Sequence, residues 1–230
     1  MFSRIAWGIL LLPLALSSAY NLPYMVSPLG SRAESVLYII LGALLYALFE
    51  TFFNLPLRTY VFGHELTHAL ASILMGGKVH SFNVSKNGGS VSLSNTNFII
   101  ALAPYCVPIY TIFALVTYYA LKFWYPAENY SMVFYALVGF SLAFHGSLTL
   151  YAIRQKQPDI EKTGVFFSLV IILFVNALFL AVLSKLLFWD AVSLRQYLIG
   201  TAKTQVHIWV WLYEKAIWLC RWAYSHSKTR

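Results

Sequence analysis

Phe62-Gly63-His64-Glu65-Leu66-Thr67-His68-Ala69-Leu70 sets two histidines and a glutamate at helical spacing inside an apolar segment. Four residues carry a helix slightly more than one turn, so His64 and His68 leave the same face and can offer two imidazole nitrogens to one tetrahedral Zn²⁺. Glu65 follows the first of them. A carboxylate there can reach the open coordination position of the metal, take a proton from solvent and hand it to a leaving amine. A charged residue in the middle of a membrane-embedded helix costs roughly 2.5 to 3.5 kcal/mol, so three ionisable groups placed together need a compensating partner such as a metal.

The surrounding composition fixes the setting of this motif. Of 230 residues, 60% are hydrophobic and only 10% are charged, far from the roughly 25% charged of soluble domains, so the chain reads as a polytopic membrane protein. Long apolar stretches recur at 5–20, 36–57, 98–121, 132–153 and 165–187. The motif segment, 59–75, is shorter and more polar, as suits a helix facing the protein interior. The expected fold class is therefore an all-α polytopic membrane protein with about six membrane-embedded helices, a small β-hairpin after the motif helix and a C-terminal amphipathic interfacial helix. Residues 1–190 form the membrane-embedded domain, with 76–96 as a hairpin insertion, and 191–230 form the C-terminal helix. The net charge of +8 is scattered among loops and the last third, which argues against nucleic acid and for lipid head groups as the basic residues' partner. Cys106 and Cys220 have no framework spacing, so neither a disulfide scaffold nor a cysteine metal site is implied.

Along the chain, Arg4 and the run ending Leu16-Ser17-Ser18-Ala19 imitate a signal peptide but read better as an uncleaved first helix. Glu50, near the end of the second helix, is expected to pair with Arg58 at the interface. Gly76-Gly77 ends the motif helix. Polar and apolar residues then alternate in Lys78–Ser85 and Ser90–Ser94, with Asn87-Gly88-Gly89 between them, which predicts a hairpin whose free edge can receive an extended peptide. His80 on that hairpin reads as a surface histidine, as do His207 and His226 in the tail. Pro104 and Pro108 predict a kink in the next span, ahead of a turn containing Pro126 and Glu128. Residues 154–162 read as an interfacial loop, and Asn176 as a polar contact between helices. In the tail, Trp209, Trp211, Trp218 and Trp222 alternate with basic residues, suiting a helix that lies in the interface.

A catalytic zinc usually keeps three protein ligands, so one more must come from elsewhere. The motif helix and the span at 130–153 both end on the hairpin side. At 1.5 Å per residue, His68 and His145 lie roughly 10 and 12 Å below their respective helix ends, so their depths match. Asp159, in the 154–162 loop, is the rival ligand, and would have to dip back into the membrane. Both residues remain open at this point.

The His-Glu-x-x-His helix, the Gly-Gly, the hairpin and two further spans, together covering about half the chain, resemble the site-2 protease family of intramembrane zinc metalloproteases. That resemblance implies His64 and His68 as zinc ligands, Glu65 as catalytic base and the hairpin as a substrate-contacting element. Members of that family carry Leu-Asp-Gly on the second span after the motif helix, where this chain has Phe144-His145-Gly146. The expected function is a zinc metalloendopeptidase that hydrolyses peptide bonds in or near transmembrane segments of membrane proteins. Its alternatives are a protease-like scaffold binding partner helices and a zinc-dependent membrane hydrolase of a non-peptide substrate. Basic residues in short loops of the hairpin side, Arg32, Lys78, Lys86, Arg154, Lys156 and Lys162, place that side in the cytoplasm of an inner or plasma membrane.

Overall fold

The computed structural model describes residues 2–53, 56–85, 88–125 and 130–227, which are mostly helical with one antiparallel hairpin. Four helices among them are long and apolar enough to cross a membrane: Ser3–Met25, Leu29–Phe52, Ser131–Arg154 and Val165–Leu187. A fifth span arises if Phe98–Cys106 and Ile109–Leu121, which meet at a 67° bend, are taken as one. These match the apolar stretches read from the sequence. Contacts divide the chain into two compact units, Met1–Pro28 with Leu169–Arg230, and Leu29–Ser168.

In the first unit, helix α1 (Phe2–Val26) packs against helix α9 (Leu194–Ser227). Tyr197 donates its hydroxyl proton to the Ser18 carbonyl at 3.1 Å, and the Asn21 amide donates to Thr204 Oγ1 at 3.1 Å. Beyond Thr204 most α9 side chains are exposed. Asn176, on α8 (Val165–Leu187), donates to the Ile172 carbonyl of its own helix.

The second unit holds α2 (Ala33–Phe52), α3 (Leu57–Leu74), β1 (Val79–Ser85), β2 (Gly88–Leu93), α4 (Phe98–Cys106), α5 (Ile109–Leu121), α6 (Ser131–Arg154) and α7 (Pro158–Thr163). Helices α2 and α6 meet backbone to backbone. A Cβ on Gly42 would fall 1.9 Å from the Ala136 carbonyl oxygen, and one on Gly139 would fall 1.9 Å from the Ile39 carbonyl oxygen. Lipid tails are as apolar as leucine, so membrane helices gain association energy from such close approach rather than from expelling water. Farther along the same pair, Ser147 Oγ lies 2.6 and 2.7 Å from the two Glu50 oxygens and donates to that carboxylate. Glu50 is thus satisfied across the α2–α6 contact, where the sequence suggested Arg58.

Helix α3 ends as expected, with Gly76 at φ 77° and the Gly77 N–H bonded to the Ser72 carbonyl at 2.8 Å. The strands follow in antiparallel register, Phe82 opposite Val91 and Asn83 opposite Ser90, and the Phe82 ring meets Phe62 of α3 edge-on. Lys86 and Asn87 of the turn, like Pro126 and Glu128 of the turn before α6, lie outside the described residues. Asn97 caps α4, its side-chain oxygen accepting from the N–H groups of Ile99 and Ile100 at 2.9 and 3.0 Å. The expected kink is a full break. Val107 is extended (φ −113°, ψ 104°), the conformation that a following proline imposes, and α5 starts after Pro108. The segment read as a loop contains α7, opened by Pro158 in its first turn and closed by Gly164 at φ 98°.

Gly139→Ala should lower the stability of the detergent-solubilised protein by about 1–3 kcal/mol, because its Cβ collides with backbone that cannot rotate away. Gly30→Ala, whose Cβ would meet nothing within 4 Å, should leave the unfolding midpoint unchanged.

Candidate metal centre

Helix α3 presents His64 and His68 one turn apart, and their Nε2 atoms lie 3.2 Å from each other. The first turn of α7 brings Asp159 Oδ2 to 3.3 Å from His68 Nε2 and 3.5 Å from His64 Nε2. Among the described residues, these three form the cluster able to hold a metal ion. His145, the other candidate ligand, is not part of it. That residue sits half-buried on α6 and borders a separate cavity of about 20 Å³ with His64, Pro104 and Ser141. His80, His207 and His226 are exposed.

The donor set fits a tetrahedral divalent ion. Ligand atoms about 2.0–2.1 Å from a common centre at tetrahedral angles stand about 3.3 Å from one another. The observed separations are 3.2, 3.3 and 3.5 Å. Chemistry agrees with geometry, since two imidazoles and a carboxylate are a usual ligand set for Zn²⁺. Burial raises the Asp159 carboxyl, but hydrogen bonds and charge from His64 and His68 outweigh it and hold the group well below the usual carboxylate range. An ionised carboxylate is the form that ligates.

The rings are oriented from behind. His68 Nδ1 lies 2.8 Å from the Ile100 carbonyl, which can only accept, so Nδ1 carries a proton and Nε2 faces His64 and Asp159. Tyr60, one turn before His64, places its hydroxyl 3.2 Å from His64 Nδ1. Tyr105 donates to Asp159 Oδ2 at 3.4 Å and lays its ring edge-on to His64.

A cavity of about 620 Å³ opens beside the cluster, walled by His64, Glu65 and His68 of α3, by β2, by Ile100 and Ala101 of α4, and by Gln157 to Asp159. The backbone N–H of Val91 donates to the Glu65 carboxylate. This closeness depends on a glycine, because a Cβ on Gly89 would stand 2.5 Å from Val61 Cγ1 and 2.8 Å from Glu65 Cγ. Strand β2 pairs only with β1 among the described residues, so its other edge is unpaired there, and Gly88 to Leu93 line this cavity.

Reading the sequence missed Tyr60 and Tyr105 and left two candidates for the third position. Tyr60 is legible in retrospect as an aromatic hydroxyl one turn before a ligand-type histidine. Compared with protein-family models, curated proteins and solved structures, the chain matches none.

Asp159→Ala should strip most of the Zn²⁺ retained by the purified protein, measured by plasma mass spectrometry, while His145→Ala should retain the wild-type amount.

Proposed function

We propose that the chain is an intramembrane zinc metalloendopeptidase, similar to the site-2 proteases, that hydrolyses peptide bonds in or near transmembrane segments of membrane proteins. One observation carries the reading: two imidazole nitrogens and a carboxylate oxygen converge at tetrahedral ligand spacing on the wall of the cavity that Glu65 shares. His64, His68 and Asp159 would hold the ion. When bound, Zn²⁺ supplies Lewis acidity, polarising a carbonyl and making water acidic near neutral pH.

The remaining chemistry belongs to the chain. Glu65, next in sequence to His64 and lining the same space, takes the proton of the attacking water and returns it to the leaving amine. Before that, the substrate helix must unwind locally, because its carbonyls are closed in intrahelical hydrogen bonds. The free edge of β2 offers backbone groups to the unwound segment, as an added strand would require. The broken backbone at Val107 and Pro108 is of a kind tolerated in membranes where it is buried or lines a polar cavity. In this reading the four long helices, the bent α4–α5 pair and α3 make the six embedded helices, α9 lies in the interface, and the hairpin faces the cytoplasm.

The test is a set of transmembrane-segment peptides reconstituted in vesicles with the purified protein and analysed by mass spectrometry. Wild type should release fragments, and Glu65→Gln should lose roughly 10²–10⁴-fold in kcat at unchanged zinc content. Peptides bound but never cut would favour a scaffold, and products appearing in lipid would favour a hydrolase of another class.

A further inference from the structure

Two prolines lie in the α4–α5 span, and they do different work. The bend lies between Cys106 and Ile109, where Val107 is extended ahead of Pro108. Pro104, by contrast, sits inside α4, which stays helical through it to Cys106. In an α-helix the N–H of one residue bonds the carbonyl four positions earlier, so the group that Pro104 cannot satisfy is the carbonyl of Ile100. That is the carbonyl which accepts the His68 Nδ1 proton at 2.8 Å. Ile100 is 1% exposed, so water does not replace the missing helical donor.

We propose that Pro104 is a positioning residue for His68: lacking an N–H, it leaves the Ile100 carbonyl free to hold the imidazole with Nε2 turned toward His64 and Asp159. Each group solves a problem of the other. The orphaned carbonyl gains a donor within an apolar surrounding, and the histidine gains a partner that can only accept, which fixes its tautomer. The pairing links α3 to α4 at the depth of the cluster. Asn97 holds the start of α4 through the N–H groups of Ile99 and Ile100, and Ser72 of α3 donates to Asn95 Oδ1 at 2.9 Å. The Ile100 carbonyl is thereby presented from a backbone pinned at its N-terminal side.

The proposal rests on the metal reading for its affinity arm alone; the tautomer can be measured without it. The experiment uses the full chain in micelles with ¹⁵N-labelled histidine. Wild type should show His68 protonated at Nδ1. Pro104→Ala restores an N–H that competes for the Ile100 carbonyl, and should both mix the His68 tautomers and weaken Zn²⁺ binding about 10- to 100-fold in a competition titration against a fluorescent chelator. Incorporating the α-hydroxy analogue of alanine at position 104, which has an ester oxygen in place of the N–H, should restore both. An ester variant as impaired as Pro104→Ala would overturn the proposal, as would a wild-type His68 bare at Nδ1. If Pro104→Ala fails to fold, the wild-type spectrum and the ester variant still decide. Should wild type bind no zinc at all, the metal reading falls while the tautomer result stands on its own.

Discussion

His64 and His68 bring their Nε2 atoms within 3.2 Å of each other, a separation that two bare lone pairs tolerate only with a proton or a cation between them, and that constraint organises the centre of this protein. The Ile100 carbonyl and the Tyr60 hydroxyl engage the rings from behind, at Nδ1. Asp159 closes the front with negative charge, and its own ionisation is favoured by the histidines it faces. Such a set of donors is costly in an apolar environment without a positive centre and well matched to one that has it.

The scaffold around the cluster is built from contacts that a bilayer does not supply for free. Glycine faces let α2 and α6 touch along their backbones, and the Glu50–Ser147 hydrogen bond satisfies a carboxylate across the same pair. Helix α6 leads into α7, so the rigidity of that pair bears on where Asp159 sits. From the other side, Ser72, Asn95 and Asn97 tie the end of α3 to the start of α4 through side-chain hydrogen bonds. The hairpin then covers the exposed flank of α3, with Gly89 admitting β2 close enough for Val91 to meet Glu65.

Periodicity and composition carried much of this. Four of the five apolar runs became membrane-length helices and the fifth a bent pair, the alternation after Gly77 became a hairpin, and the one-turn spacing of His64 and His68 placed their rings together. Depth alone did not settle the third position. Counting residues from helix ends measures how far His145 lies below a surface but not which way α6 turns its face, and that face borders another cavity. Asp159 is brought in by a helix of six residues, too short to show a periodic apolar face, although Pro158 and Gly164 bracket it as start and stop signals do. Pro104 was legible as a disturbance of its helix, whereas the use made of the freed carbonyl depends on a residue 32 positions away in sequence. Long-range pairings of this kind leave no local trace.

X-ray absorption at the zinc edge, recorded on wild-type protein after purification without added chelator, tests the central claim most directly. The account predicts a first shell of nitrogen and oxygen at about 2.0–2.1 Å with the multiple-scattering pattern of two imidazoles. A pattern requiring three imidazoles would bring His145 into the centre and contradict the arrangement described, and a sample with no zinc edge would remove the centre altogether.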